Sequence, residues 1–346
     1  DSSTSRGLGD VYKRQIRSSG SKVRVTVSLL EADTKEIVWS KRFDRKLDDI
    51  FEVQDEIVRS VTQAILGEIE LASLNRAKRK PTQNMSSYEF LLRGKEGHHA
   101  IDKDANAHAL EMFDKAIEAD SANAQAYAWK ACTMGQALGR GWIEKSLEEV
   151  MPEFNKLMDH AVKADPNDFE LHRLLCGIST MTGKFKAAIE HGKKAYDMVP
   201  NDPRILQQYG EILLKTGKTK QGCDLTLLAL EYDPVAQGQT NSDKRKSDAV
   251  FGCLMDDRVE LGLELAEEIE ACSENILLFA AALSVAKHGS LEPCPWLIKD
   301  LKTCDFEGLE AAIEEMGRYD VVVQSTLREV FLDHVAKLQP KLQLVS

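Results

Sequence analysis

The segments "ADPND" (164–168), "VPNDP" (199–203) and "YDPVA" (232–236) place three prolines, Pro166, Pro200 and Pro234, at successive intervals of 34 residues. The same interval separates other small residues: Ala161, Ala195 and Ala229, and Gly183 and Gly217. Proline ends a helix, and alanine or glycine lets two antiparallel helices approach closely. The pattern therefore predicts pairs of helices that repeat every 34 residues.

This period resembles that of the tetratricopeptide family, and the resemblance implies a mostly α, right-handed solenoid over residues 84–236. An earlier unit is marked by Ala109, Phe113 and Ala116, with Ser121 in the place of proline. The interval from Ser121 to Pro166 is 45 residues, longer than one period. We assign the excess to a long inter-helix loop through "ALGRGWIEKS" (137–146), which gives three or four repeats.

Beyond residue 236 the period is lost, and "QGQTNSDKRKSD" (237–248) is interpreted as a solvated polar loop. Helical periodicity returns in four segments: "RVELGLELAEEIEA" (258–271), "ENILLFAAALSVAKH" (274–288), "FEGLEAAIEEMG" (306–317) and "VVVQSTLREVFLDHVAKL" (321–338). We predict that residues 237–346 form degenerate helical repeats and a C-terminal cap.

Upstream of the repeats, "KVRVTVSLLEA" (22–32) alternates apolar and polar residues, as a half-buried strand does. The turn residues "DTKE" (33–36) and a second strand-like run, "IVWSKRF" (37–43), follow. Together they predict a β-hairpin. Apolar residues then recur every three or four positions over 50–69, which predicts a helix ending before Pro81.

Residues 23–61, "VRVTVSLLEADTKEIVWSKRFDRKLDDIFEVQDEIVRSV", resemble the C-terminal half of the TolB-N-like domain of bacterial class III adenylate/guanylate cyclases. In that family the domain precedes tetratricopeptide repeats and begins with another strand and helix. The resemblance implies a truncated α/β domain over 16–80, consisting of a β-hairpin plus a helix. We therefore expect an exposed apolar sheet edge near residues 23–29.

The preceding segment, "SRGLGDVYKRQ" (5–15), shows neither a helical period nor strand alternation. It resembles a translated adapter from a sequencing library, and a natural tail is the alternative. Residues 1–15 are accordingly predicted to be a non-native tail outside the fold.

Composition and motifs argue against nucleic-acid binding, a membrane span and catalysis. The net charge of −11 disfavours nucleic acid, and the apolar run at 276–286 is shorter than the roughly 20 residues of a membrane span. Phosphate-binding, dinucleotide-binding, metalloprotease and nucleophile-elbow motifs do not occur, and the pair His98 and His99 lacks ligand spacing. The seven scattered cysteines suggest buried thiols in the cytoplasm. We expect no cofactor, metal, nucleic acid or membrane span, and no catalysis by this fragment.

The predicted function is then a non-catalytic interaction and regulatory module, whose concave groove holds a protein or peptide. On the tetratricopeptide register, the groove residues are Gln125, Glu170, Arg173, Arg204, Gln207 and Glu211. The Lys/Asn clamp for a C-terminal carboxylate does not appear at these positions. The resemblance implies that the module belongs to a class III cyclase with its catalytic domain upstream. The alternatives are a winged-helix transcription regulator or a Ser/Thr kinase carrying the same module.

Overall fold

The computed structural model describes residues 10–19, 22–31, 37–46, 74, 78, 85–233, 244–269 and 272–338. These residues form a small antiparallel sheet followed by a long series of helices, which confirms the mostly α fold class. The helix predicted over 50–69 lies outside the described residues.

The sheet has three strands in the order β1-β2-β3: β1 (Asp10–Ser19), β2 (Lys22–Glu31) and β3 (Ile37–Lys46). The antiparallel pairing of β2 with β3 confirms the predicted hairpin. Val25 and Val27 of β2 and Phe43 of β3 are buried, as the alternation of β2 indicates. On β2 and β3, Arg24 pairs with Asp44 across the strands.

Strand β1 departs from two sequence predictions. Its residues 10–15 lie in the segment assigned to a tail, yet they pair with β2 in a regular register, in which Tyr12 faces Leu29 and Gln15 faces Thr26. Strand pairing uses backbone N–H and C=O groups that every non-proline residue carries, so a segment without alternation can still form a strand. Because β2 is the central strand, the prediction of an exposed edge at 23–29 is wrong.

The fourteen helices of the described residues follow in chain order. They are α1 (Ser87–His99), α2 (Lys103–Ala119), α3 (Ala124–Gly139), α4 (Leu147–Ala164), α5 (Phe169–Met181), α6 (Phe185–Met198), α7 (Pro203–Lys215), α8 (Thr219–Tyr232), α9 (Lys244–Met255), α10 (Val259–Glu267), α11 (Glu274–His288), α12 (Pro295–Leu301), α13 (Phe306–Met316) and α14 (Val321–Val330). A π-helical turn (Phe331–Val335) and a 3₁₀ turn (Ala336–Leu338) extend the last helix.

The 34-residue period is confirmed in the helix starts, since α5 begins at Phe169 and α7 at Pro203. The turn inside each of these two pairs also repeats. Gly183 and Gly217 have φ angles of 71° and 79°, in the left-handed region where glycine carries no Cβ penalty. α1 to α8 thus form four helix pairs. In the second pair α3 ends at residue 139 and α4 begins at 147, so this linker is longer than the turns of the later pairs. The predicted loop explains only part of the excess, because α3 (16 residues) and α4 (18 residues) are also longer than α5 (13 residues) and α6 (14 residues).

Close helix packing explains the regular spacing of small residues in the array. Ala161, Ala195 and Ala229 are 0%, 0% and 1% exposed. Between α7 and α8, a Cβ built on Gly222 would lie 2.8 Å from the backbone oxygen of Gly210, which no real Cβ tolerates. The two backbones are therefore in direct contact at this point.

The chain divides into two compact units, one on each side of the junction between Leu174 and Leu175 in α5. In the second unit, α11 is buried along most of its length, from Ile276 to Ser284, and provides the centre of a large apolar core. This explains its apolar sequence. Within the part of the chain that the structure describes, no helix is long and apolar enough to cross a bilayer.

The region after residue 236 contains two helices that the sequence did not predict, α9 and α12. The predicted polar loop ends earlier than expected, because α9 begins at Lys244, and Arg245 is 2% exposed rather than solvated. The other four helical segments are confirmed, α11 over its full predicted range.

The turn between α9 and α10 offers a stability test, because Asp257 occupies the place that glycine takes in the two preceding pairs. Its φ is 56°, and the following N–H, of Arg258, donates to Cys253 O at 2.9 Å, as Lys218 N–H does to Leu213 O. A left-handed conformation costs an L-residue about 1–2 kcal/mol, while glycine loses more entropy on folding. We expect Asp257→Gly to raise the free energy of unfolding by about 0.5–1 kcal/mol in urea titrations.

The reverse change at the equivalent position, Gly217→Asp, should lower the free energy of unfolding by about 1 kcal/mol. Asp257 is exposed, so its replacement removes no packing. A less stable Asp257→Gly protein would show that the backbone at this turn is not strained.

Candidate partner-binding site

The six predicted groove residues all lie on first helices of the pairs or at their starts, and each compact unit contains one group of them. The first unit contains Gln125 on α3 and Glu170 and Arg173 on α5. The second contains Arg204, Gln207 and Glu211 on α7.

In the first unit, Glu170 and Arg173 form a buried ion pair within the first turns of α5. The guanidinium donates twice to the carboxylate, from Nε to Oε2 at 2.9 Å and from Nη2 to Oε1 at 2.8 Å. Glu170 is only 2% exposed. Gln125 also has a partner inside the unit, donating from Nε2 to Asp168 Oδ2 at 2.9 Å. All three predicted residues are thus engaged within the chain.

The ion pair belongs to a group around an indole ring that we call the Trp129 cluster. Its members are Lys95, His98, His99, Trp129, Glu170 and Arg173. The ammonium of Lys95 and the guanidinium of Arg173 lie 5.4 and 5.6 Å from the ring centroid, distances suited to cation–π attraction. Among the described residues, Trp129 Nε1 is buried without a hydrogen-bond partner. The cluster therefore combines cations, an aromatic ring and an unused donor.

His98 packs edge-on against Trp129, with 5.2 Å between the ring centroids, so it contributes to helix packing. Its Nδ1 lies 3.0 Å from Thr133 Oγ1, and that hydroxyl donates its own proton to Trp129 O. His98 Nδ1–H is therefore the donor to the threonine. Burial lowers the pKa of His98 to about 3, with smaller contributions from His99 and Arg173.

Because His98 is neutral in the folded protein while its unfolded pKa is near 6.5, the unfolded state binds more protons between these values. The sign follows: stability is full above about pH 6.5 and falls as the pH drops toward 3. We expect His98 to contribute a loss of about 1 kcal/mol per pH unit between pH 6 and 4. Urea titrations of the wild type and of His98→Asn at several pH values measure it.

His98→Asn keeps a side-chain donor for the threonine but does not titrate, so the difference between the two curves isolates this histidine from the carboxylates. His160, whose ring nitrogen lies near Lys156 O on the exposed side of α4, provides a matched control. His160→Asn retains His98 and should still show the loss of stability that His98 causes. Parallel curves for His98→Asn and the wild type would contradict the assignment of a depressed pKa.

In the second unit, polar residues of α7 and α9 form a group that we call the Asp248 cluster. Its members are Gln207, Glu211, Lys215, Lys244 and Asp248. Gln207 Nε2 donates to Asp248, Lys244 Nζ lies 3.2 Å from Asp248 Oδ2, and Lys215 Nζ lies 2.7 Å from Glu211 Oε1. The cluster therefore contains two acids and two lysines, with one of each on α7 and one of each on α9.

The two carboxylates of the Asp248 cluster respond differently to their surroundings. Burial raises the pKa of Asp248 and outweighs the opposing effect of Lys244. Burial would also raise the pKa of Glu211, but Lys215 and Lys244 reverse the shift and lower it. The lysines thus outweigh the effect of burial on the pKa of Glu211, but not on the pKa of Asp248.

A residue of the C-terminal region also borders the Asp248 cluster, and the sequence did not predict this contact. Tyr319, between α13 and α14, places its ring 4.4 Å from Lys215 Nζ and 5.8 Å from the ring of Phe185. The Asp248 cluster is thus bordered by an aromatic side chain.

Arg204 has a different role from the one predicted, since it binds the start of its own helix. Its backbone N–H donates to Asp202 Oδ1 at 2.8 Å, and its guanidinium donates to both oxygens of the same carboxylate. Asp202 is the N-cap of α7 and is fully buried. This arrangement stabilises the helix start.

Sequence reasoning missed Lys244 and Asp248, because residues 237–248 were interpreted as a loop. Trp129 is 4% exposed. Lys244 and Asp248 are four residues apart, as the partners of a helical ion pair are. This spacing could have indicated α9. Within the described residues, no group of three or more metal-ligating side chains occurs.

No family model matches the chain. One curated relative, named "Putative adenylate cyclase 3" from Rhizobium meliloti (strain 1021), is 25% identical over 122 residues. The match covers 35% of this chain and 21% of the relative, so the chain spans about a fifth of the relative's length.

Among solved structures, the chain is similar to pilF of Pseudomonas aeruginosa at 12% identity and a TM-score of 0.44, covering 69% of this chain and 99% of that one. It is also similar to YrrB, described as a TPR protein with an unusual peptide-binding site, at 18% identity and a TM-score of 0.34, covering 58% and 85%. At this identity and TM-score, neither likeness bears on function.

Proposed function

We propose that the chain is a protein-interaction module, which binds a peptide segment of a partner on the first-helix faces of its repeats. The observation that carries the proposal is the buried ion pair Glu170 and Arg173 beside Trp129. Well-packed apolar residues would serve stability as well as or better than a buried ion pair. Its position at predicted groove residues fits a role in recognition.

The charges of the two clusters describe the expected ligand. The Trp129 cluster contains two cations and an indole donor without a partner among the described residues, and a ligand segment that reached these buried groups would be acidic or carbonyl-rich. The Asp248 cluster offers lysines and carboxylates next to Tyr319. A peptide of mixed charge fits these groups better than a purely apolar helix.

We further propose that the module regulates a bacterial class III adenylate/guanylate cyclase in the cytoplasm. Support comes from the TolB-N-like motif at 39–57 and from the partial match to the relative from Rhizobium meliloti. The same motif and repeats also occur in the two alternatives, a winged-helix transcription regulator and a Ser/Thr kinase. The catalytic function of the parent protein is therefore decided outside this chain.

Sequencing the genomic region on the 5′ side of the codon for Ile16, up to the next start codon, tests the cyclase proposal. We expect an in-frame class III catalytic domain. An in-frame winged-helix or kinase domain would overturn the cyclase assignment in favour of the corresponding alternative. This read would also show whether residues 1–15 are encoded by the genome.

Selection of peptides from a displayed random library on the immobilised full chain tests the interaction function. We expect enriched peptides whose affinity falls about tenfold in Lys244→Met, which removes a lysine from the Asp248 cluster. Lys193→Met is the matched control, because Lys193 forms a similar four-residue ion pair with Asp197, on the second helix α6. Equal losses in both variants, or no enrichment over a blank surface, would contradict the proposal.

A further inference from the structure

Two cysteines on neighbouring helices of the second unit lie side by side. Cys223 is on α8 and Cys253 on α9, and both are fully buried. Both are free thiols, and they share a side-chain hydrogen bond. The two side chains are therefore within hydrogen-bonding reach of each other.

A glycine brings the helix backbones together at this point. A Cβ built on Gly252 of α9 would lie 3.2 Å from Cys223 Cα and 3.5 Å from Cys223 Cβ on α8. A disulfide requires Cβ atoms about 3.8 Å apart and sulfur atoms at bonding distance. Helices in such close contact allow two hydrogen-bonded thiols to reach this geometry with small side-chain rotations.

The surroundings lower the pKa of one of the two thiols. The hydrogen bond from Cys253 lowers the pKa of Cys223 against the effect of burial, and the positive charge of Arg258 adds to this. Arg258 is itself held by Asp224 and, at 2.8 Å, by Asp256. The pKa of Cys253 is raised by the same hydrogen bond, so it remains the protonated partner.

We propose that Cys223 and Cys253 are an oxidative modification site, at which a hydroperoxide converts the thiol pair into an intrachain disulfide. The Cys223 thiolate attacks the peroxide, so that an S–O bond forms, the O–O bond breaks and an alcohol or water leaves with a proton. The Cys253 sulfur then attacks the sulfenic acid, so that the S–S bond forms, the S–O bond breaks and water leaves. Two sulfurs are oxidised by one electron each, and the peroxide is reduced by two.

The crosslink would fix α9 against α8. Lys244 and Asp248 of the Asp248 cluster lie on α9, so oxidation holds their helix in place relative to α8. Because a disulfide restricts mainly the unfolded chain, the oxidised protein should also melt at a higher temperature, by about 5 °C.

Hydrogen peroxide treatment of the folded full chain tests the proposal. Free thiols are then alkylated in denaturant, and proteolytic peptides are mapped by mass spectrometry. We expect a linked peptide pair containing Cys223 and Cys253, lost on reduction with dithiothreitol. Cys223→Ser and Cys253→Ser should each abolish it, whereas the matched control Cys304→Ser should not. Cys304 is a free, half-buried thiol after α12.

The wild-type peptide map needs no variant, so the test remains valid if either serine variant folds poorly. Recovery of both cysteines as alkylated thiols after native treatment would overturn the proposal. So would a linkage that forms only when peroxide is added in urea. A linked chain that melts at a lower temperature than the reduced chain would overturn the native geometry assigned to the bond.

Discussion

Replacing Arg245 by alanine is expected to lower the free energy of unfolding by about 3–5 kcal/mol. The side chain is 2% exposed; its Nη2 lies 2.9 Å from Asp233 Oδ2, and its Nη1 donates to Ala229 O at 3.3 Å. Burial already raises the pKa of Asp233, and Arg245 offsets part of this shift. Alanine would leave a cavity and a half-buried carboxylate without its cation. Urea denaturation followed by circular dichroism measures the loss.

Two further variants separate the ion pair from packing. Arg245→Met with Asp233→Leu removes both charges while filling the space, and it should restore most of the stability. Lys220→Ala, which breaks an exposed ion pair with Asp224 on α8, should change stability by less than about 1 kcal/mol. If Arg245→Ala were as mild as Lys220→Ala, the buried pair would have no structural importance.

Arg245 also shows where sequence reasoning fails. It belongs to "SDKRKSD", a run of charges that favours a solvated loop when considered alone. Its burial depends on Asp233, which precedes it by twelve residues and lies at the other side of an unpatterned segment. A local charge pattern contains no information about such a contact. The 34-residue period, by contrast, recurs in prolines, alanines and glycines, and it predicts helix starts closely.

The sheet shows a second limit of the same kind. The alternation of β2 reveals its buried face, and Val25 and Val27 are indeed buried. β1 carries the polar sequence "DVYKRQIRSS", whose side chains give no alternation, and it is specified by backbone pairing with β2.

The sequence predicts which helices carry the candidate residues, but not which residues they contact. The helical register places Glu170, Arg173 and Gln207 on first helices, and the structure agrees. The i,i+3 spacing of Glu170 and Arg173 even indicates a possible ion pair. Gln207 binds Asp248, 41 residues away, in a helix that the fading period concealed. A periodic sequence pattern thus does not predict contacts between degenerate repeats.

Replacing Glu170 by alanine should be the other severe change, with a loss of about 3–5 kcal/mol in the free energy of unfolding. The carboxylate is 2% exposed and receives two hydrogen bonds from Arg173. Without it, a buried guanidinium loses its paired anion beside Trp129. Glu170→Gln keeps one acceptor and should cost less, about 1–3 kcal/mol, in the same urea titration.

The double variant Glu170→Leu with Arg173→Met distinguishes stability from recognition. Both charges disappear together, so we expect the free energy of unfolding to stay within about 1–2 kcal/mol of the wild type, the remainder reflecting the lost cation–π contact with Trp129. Affinity for peptides selected on the wild-type chain should nevertheless fall at least about tenfold, which corresponds to 1.4 kcal/mol of binding energy. If this folded double variant bound those peptides as tightly as the wild type, the ion pair would be a feature of the core alone. The Trp129 cluster would then have no part in holding a partner.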